Sequence, residues 1–307
     1  MQTILGSNGV IGTNIAKTLP QFTNQIRLVS RNPKKVNETD ELFSADLLNA
    51  AQINEAVKGS EVVYLTAGLP YKIKVWREQW PVIMSNVISA CKQHNSKLVF
   101  FDNVYSYGKV NGWMTEATSY NPCSNKGEVR AKIAIQLMDE TKKGNLQAMI
   151  VRGADFYGPQ TPLSFLNVML FENYAKGKKA QLMISDSTKH SFTYTPDAGR
   201  ATALLGNTSS AFNQVWHSPC DKNTLTGKEF AELAANAFGV SLKYMVLPKW
   251  MIWMAGRFDY NIASAVEMLY QNEVDYLFSS EKFEKAFPDF HITTYKEGIE
   301  ATVTSMK

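Results

Sequence analysis

Three glycines at regular spacing open the chain, in Gly6-Ser7-Asn8-Gly9-Val10-Ile11-Gly12. Glycine lets a backbone approach a pyrophosphate closely. A helix starting at the same place adds free N–H groups and the positive end of its dipole. The chemistry this spacing supports is the binding of a dinucleotide by its phosphates. The end of the next apolar run bears on which dinucleotide. A carboxylate there would grip a free ribose 2′-hydroxyl, whereas a cation would favour a 2′-phosphate. The residues are Ser30-Arg31-Asn32-Pro33, with no acid. NADP is therefore expected ahead of NAD, with Arg31 as the cation and Ser30 beside it.

The elements that must hold this loop follow from the alternation of apolar runs. Ile26–Val29, Val62–Leu65, Leu98–Phe101, Ala148–Val151 and Gln214–Trp216 read as buried strands. Between them, Asp46 opens a helix through Ala51 and Val57 that Gly59 stops. Trp76, Trp80, Ile83, Met84, Val87, Ile88 and Cys91 recur at helical spacing, as do Val129, Ile133 and Leu137 ahead of Gly144. Continuous apolar strands separated by helices predict an α/β fold, a Rossmann-type doubly wound parallel sheet. From about residue 156 the pattern loosens into Pro- and Gly-marked loops. The expected organisation is a cofactor-binding unit of residues 1–155 plus 190–219. A smaller split C-terminal lobe, 156–189 plus 220–307, carries the substrate.

Composition removes several classes. A net charge of +4 is mild, and the basic run Lys176-Gly-Lys-Lys179 has no interleaved aromatics, so no nucleic-acid partner is expected. Cys91, Cys123 and Cys220 lie far apart, and His94, His190, His217 and His291 do not cluster. No metal site is expected, and the cysteine usage suits a reducing cytoplasm. The N-terminus has no charged leader segment ahead of its glycine turn. Trp250-Met-Ile-Trp-Met-Ala255, between Lys249 and Arg257, is too short to span a bilayer, and no membrane partner is expected.

Later landmarks give the glycine loop a family context. Phe101-Asp-Asn-Val-Tyr-Ser-Tyr-Gly108 resembles the strand-end segment of extended short-chain dehydrogenases/reductases, the NAD-dependent epimerase/dehydratase family. Glu116 through Pro122 is similar to that family's approach to its catalytic helix. Val151-Arg-Gly-Ala-Asp-Phe-Tyr-Gly-Pro159 resembles its R-P-x-N-x-Y-G-P turn, and Ser191-Phe-Thr-Tyr-Thr-Pro-Asp197 its D-F-x-x-V-x-D segment. The matches run in order to about residue 220. The resemblance implies that Asp46 and Leu47 flank the adenine and that Ala67 and Gly68 line the cofactor. It also implies pairing of helices near 77–95 and 125–143 in a homodimer.

The family's chemistry rests on a Tyr-x-x-x-Lys pair and an upstream Ser. Here the matching stretch is Ser124-Asn-Lys-Gly-Glu-Val-Arg130, so Lys126 falls where the Tyr should be and Arg130 where the Lys should be. Asn103 falls at the Ser position. Arg130 is expected to hold a ribose or nicotinamide-side hydroxyl, since a guanidinium stays protonated and cannot be the acid. Side chains two apart on a strand share a face, so Tyr105 is expected to look the same way as Asn103. A Tyr105 phenol beside cationic Lys126 would have a lowered pKa and would restore the missing pair.

In the R-P-x-N-x-Y-G-P turn the Asn position holds Asp155, and the Arg position before the D-F segment holds His190. A carboxylate repels a diphosphate, and a neutral His gives up a bidentate clamp. The expected substrate is therefore a small carbonyl or hydroxyl compound rather than a nucleotide-diphosphate sugar. The expected activity is that of an NAD(P)-dependent oxidoreductase or epimerase with an altered proton relay. The alternative is a non-catalytic NADP-binding redox sensor.

Overall fold

The computed structural model describes residues 1–307, apart from the side chain at position 261. Seven parallel strands form the central sheet: β1 (Gln2–Leu5), β2 (Ile26–Ser30), β3 (Glu41–Ser44), β4 (Val62–Leu65), β5 (Lys97–Asn103), β6 (Ala148–Gly153) and, later in the chain, β10 (Val215–His217). Their spatial order is β10-β6-β5-β4-β1-β2-β3. Every pairing is parallel, which requires crossovers on both faces. One face is covered by α2 (Ala50–Val57), α3 (Ile73–His94) and α4 (Asn125–Lys142), whose Ile53, Trp80, Ile83 and Ile133 are fully buried. The other carries α1 (Val10–Thr18) and α5 (Thr195–Gly206), through Ile15, Ala16, Ala198 and Ala201. Burial on both faces explains why these strands read as unbroken apolar runs.

A separate apolar cluster unites β7 (Asp155–Tyr157), β8 (Ala180–Met183), α6 (Gly227–Phe238) and α9 (Tyr295–Thr304), through Tyr157, Leu182, Phe230, Tyr295 and Ile299. β9 (Phe192–Tyr194) pairs with β7, and β11 (Tyr244–Leu247) pairs with β8. After β11 comes a helical hairpin, α7 (Lys249–Gly256) and α8 (Tyr260–Val266). Among the described residues, no helix is long and apolar enough to cross a membrane.

Two local readings change. Asp46 does not open a helix, because its Oδ1 accepts from Leu48 N at 3.0 Å and closes a turn. The helix begins at Ala50, where the Asn49 side chain accepts from Gln52 N. The sheet also has an edge strand, β3, that lacks an apolar signature because most of its residues are exposed.

Chain direction places the site. From β1 the sheet grows one way through β2 and β3 and the other way through β4, β5 and β6. A crevice opens at the carboxyl ends of β1 and β4, where strand order reverses. The glycine loop, Thr66–Gly68 and the end of β5 all meet there.

Candidate functional site

The crevice is built around close backbone contact. Gly6 has φ +88°, and a Cβ on it would lie 2.7 Å from the Cα of Ala67. A Cβ on Gly12 would lie 2.8 Å from Thr66 Oγ1 and 2.9 Å from the Gly6 carbonyl. The loops after β1 and β4 therefore touch only because these positions are glycine. The N–H groups of Gly6 and Ser7 both donate to Val29 O, which pins the turn to β2. α1 has Gly9 as its N-cap, with no side-chain cap and no acid in its first turn. The first N–H groups of the helix, from Val10 onward, thus lack intrahelical acceptors and offer themselves to an anion.

The hydroxyls of Ser7 and Ser30 are buried with no protein partner. These orphaned groups at the ends of β1 and β2 leave hydrogen-bonding capacity unused at the crevice. Asn8 donates to Asn32 O at 2.7 Å and accepts from Lys34 N at 3.2 Å, tying the glycine loop to the segment after β2. Arg31, in that segment, is exposed, and no described residue accepts from its guanidinium. Leu47 packs against the core and its carbonyl accepts from Asn86, while Gly68 stands in open space.

Beyond the cradle, Asn103 is the last residue of β5. Its Oδ1 accepts from Tyr105 N at 3.1 Å, which leaves its amide N–H groups without a described acceptor. Tyr105 has left the strand and begins a tight turn, Tyr105–Tyr107. Tyr71 donates its hydroxyl hydrogen to Tyr105 Oη at 3.2 Å. The Tyr105 pKa is pushed well up, by burial first and by the charge of Asp155, against the lowering pull of the Tyr71 hydrogen bond and Arg130. Tyr71 is pushed up as well, chiefly by burial. Both are neutral phenols.

Lys126 sits in the first turn of α4 and is 1% exposed. Its Nζ donates to Glu267 Oε1 at 2.6 Å and to Ser264 O at 2.6 Å, and lies 4.2 Å from the centre of the Tyr71 ring. Glu267 Oε2 accepts from Asn125 N, one of the orphan N–H groups at the start of α4. The expected Tyr105–Lys126 pairing is therefore not formed. The ammonium is committed to Glu267, and the Tyr105 phenol is raised rather than lowered.

Arg130 is also spoken for. Its Nε donates to Asp102 Oδ1 at 2.6 Å, and its guanidinium lies 4.4 Å from the Trp80 ring. Asp102 Oδ2 accepts from Arg152 Nε at 3.2 Å, and Arg152 donates to Tyr120 Oη at 2.6 Å. Arg130 is thus buried in an internal Arg–Asp–Arg network instead of facing a ribose. Nearby, Tyr107 Oη and His217 Nε2 are 2.8 Å apart, and His217 Nδ1 faces Ser279 O at 2.7 Å. With Nδ1–H donating to that carbonyl, Nε2 accepts from the phenol. Burial lowers the His217 pKa to about 3.

Asp155 and His190 form one pair, Oδ2 to Nε2 at 2.9 Å, and the His190 ring stacks on Phe192. The Asp155 charge contributes to raising Tyr71, Tyr105, Tyr270 and Tyr276, so it lies among the phenols beyond β5. Sequence reasoning missed Tyr71, Ser264, Glu267 and Tyr276. None belongs to a spaced motif, and Glu267 meets Lys126 only through the fold.

Residues 3–215 match the model of the NAD-dependent epimerase/dehydratase family. The chain belongs to this family. No curated protein matches it by sequence. The UDP-glucuronic acid 4-epimerase of Bacillus cereus, solved with NAD, superposes with a TM-score of 0.82 at 16% identity, covering 100% of this chain and 98% of that one. The UDP-glucose 4-epimerase of Thermus thermophilus, also with NAD, gives 0.79 at 19%, covering 100% and 99%. The UDP-N-acetylglucosamine 4-epimerase of Methanobrevibacter ruminantium gives 0.79 at 17%, covering 99% and 97%.

These neighbours overturn the expectation that set nucleotide sugars aside. Proteins of the same architecture along their whole length are nucleotide-sugar epimerases. The physical argument behind that expectation also fails. Asp155 and His190 are one hydrogen-bonded pair among the phenols, not an unpaired carboxylate and a separate missing clamp. The family and the cradle make a pyridine nucleotide the cofactor class.

Proposed function

We propose that this family member is an NADP-dependent oxidoreductase or epimerase acting at a hydroxyl- or carbonyl-bearing carbon of a nucleotide-linked sugar, with Tyr105 as its proton-donating group. The observation that carries this reading is the neutral Tyr105 phenol beside Asn103 at the end of β5, supported from behind by Tyr71. A bound nicotinamide supplies or accepts hydride, and the chain manages the proton. Burial and Asp155 keep the proton on Tyr105 at neutral pH, so the phenol gives it to the alkoxide formed when a carbonyl is reduced, and the phenolate left behind takes a proton back when the hydroxyl is oxidised in the reverse step. The Tyr71 hydrogen bond stabilises the oxygen left behind. The free amide of Asn103 adds a donor at the same end of the strand, and Asp155 with His190 supplies polar contacts to the sugar.

The NADP preference is supported by exposed Arg31 following unpartnered Ser30, with no acid at the end of β2. We also propose a homodimer through the outer faces of α3 and α4. Their main apolar stripes are spent in the core, and Val82 and Ile135 are the large apolar residues left exposed on them. A cytoplasmic setting suits the three free cysteines.

Fluorescence titration with NADPH and NADH tests the cofactor. NADPH binding tighter by about tenfold is expected, with the preference lost in Arg31→Ala. Cofactor-loaded protein is then offered UDP-glucose, UDP-glucuronate and UDP-N-acetylglucosamine, with products followed by chromatography. Tyr105→Phe should remove turnover while leaving NADPH affinity intact. Tight cofactor binding without conversion of any sugar would sink the enzymatic reading. It would favour the sensor, to which the internal commitment of Lys126 and Arg130 also lends itself.

A further inference from the structure

We propose that the α7–α8 hairpin docks on the surface of an anionic lipid bilayer. α7 reads Lys249-Trp-Met-Ile-Trp-Met-Ala-Gly256, apolar around nearly its whole circumference. A helix of that kind belongs in an apolar environment. Only Ile252 on α7 is buried. Trp250 is 66% exposed, Trp253 52%, and Phe258 in the turn 89%, with Met254 and Tyr260 also in solvent. The hairpin is held together at Gly256, where a Cβ would come 3.0 Å from Ala263 Cα, so the large side chains are free to face outward. Eight residues cannot span a bilayer, but a short segment rich in Trp, Met and Phe can lie in its interface.

Charge selects the occupant. Arg257 lies over the Trp253 ring at 5.2 Å, and Lys72 lies over Tyr260 at 5.2 Å. Lys249 begins α7 and is exposed. Lys249 and Lys109 share the carboxylate of Glu273, and Asp259 in the turn accepts from Ile262 N at the start of α8, so Arg257 and Lys72 are the cations the face chiefly offers. Aromatic rings capped by cations suit the boundary between headgroups and acyl chains, where tryptophan and tyrosine settle and anionic lipids attract lysine and arginine. A self-association through this face would set the same cations of two copies against each other, which is costly. The hairpin also connects to the site, because Ser264 of α8 and the following Glu267 bind Lys126. Docking would therefore place the mouth of the crevice at the membrane surface.

The test is co-sedimentation of the full chain, loaded with NADPH, with vesicles of phosphatidylcholine alone or with added phosphatidylglycerol. Binding is expected to the anionic vesicles, with a blue shift of tryptophan fluorescence, and to weaken at high salt. Trp253→Ser with Phe258→Ser should weaken it at least about tenfold. Arg257→Gln should weaken it about fivefold, for the loss of one surface cation. Unchanged NADPH affinity shows that both variants are folded. Failure to bind anionic vesicles overturns the proposal, as does binding that ignores these substitutions. Sedimentation equilibrium showing dimers abolished by Trp253→Ser and Phe258→Ser, without vesicle binding, would assign the face to a second copy instead. Loss of nucleotide-sugar binding in the same variants, without vesicle binding, would assign it to the substrate.

Discussion

Lys126 Nζ lies 2.6 Å from Glu267 Oε1, although 141 residues of chain separate them. The pair joins the first turn of α4 to the segment after α8. It also fixes the ammonium against the Tyr71 ring. Lys126 is buried, whereas Glu267 keeps about a fifth of its side chain in solvent.

That asymmetry sets the size of the effect. Lys126→Met retains the apolar stem but leaves the Glu267 carboxylate with only Asn125 N. A fully buried carboxylate stripped of its partner costs about 3–5 kcal/mol, and partial solvation should reduce this to about 2 kcal/mol. Adding Glu267→Gln should recover roughly half, because an amide is cheaper to leave unpaired than a charge. Urea unfolding of both single variants and the double variant measures the coupling. Strict additivity would show that the pair is not energetically linked.

A larger loss is expected at Asp102. Its carboxylate is fully buried and serves two guanidiniums, Arg130 and Arg152. Asp102→Asn leaves both cations without a counter-charge, at a cost of at least about 3 kcal/mol. Arg130→Met should cost less, because Arg152 still neutralises Asp102 and a methionine packs well between Trp80 and Phe100. Urea midpoints in the reverse order would refute this account of the network.

The contrast between these residues and the glycine loop shows what the chain makes legible. Gly6, Gly9 and Gly12 act locally, through a strand, a turn and a helix that are continuous in sequence, so their spacing alone points to the cradle. The buried strands are legible for the same reason. Lys126 and Arg130 stand at recognisable positions, but their partners do not. Glu267 reaches Lys126 through the α7–α8 hairpin, and Asp102 reaches Arg130 through the packing of α4 on β5. Tyr105 misleads because β5 ends at Asn103, so the alternation of a strand no longer governs where its side chain lies. Asp155 and His190 each look like a lost contact until β7 and β9 are paired.

His217 predicts an acid limit. Burial lowers its pKa from 6.5 to about 3, so in the folded chain it stays neutral where the unfolded chain is already protonated. The unfolded state then binds more protons, and stability falls as pH falls. The contribution is complete above about pH 6.5 and is lost progressively toward pH 3. By pH 5 the loss should reach about 2 kcal/mol. Urea unfolding at pH 7 and pH 5 reads it directly. His217→Gln should be less stable at pH 7 but should flatten the slope. An unchanged slope would mean that another group sets the acid sensitivity.

Within the cradle, Gly6 is expected to be the glycine the fold needs and Gly9 the one a ligand needs. Gly6 has a positive φ, and a Cβ would run into the Ala67 backbone, which cannot yield without moving the loop after β4. Gly6→Ala should therefore cost about 2–3 kcal/mol of stability and weaken NADPH binding together. Gly9 has an ordinary extended conformation at the N-cap of α1, and a Cβ there would be 3.3 Å from the Gly6 carbonyl. That contact is tight but relaxes with a few tenths of an ångström of movement. Gly9→Ala should leave stability within about 0.5 kcal/mol of the parent. The added methyl would still intrude where a pyrophosphate must approach the first N–H groups of α1, weakening NADPH at least about tenfold. Urea unfolding and NADPH titration on the two variants separate the roles. Equal effects of both substitutions on stability, or normal NADPH affinity in Gly9→Ala, would show that the phosphates do not lie over this turn.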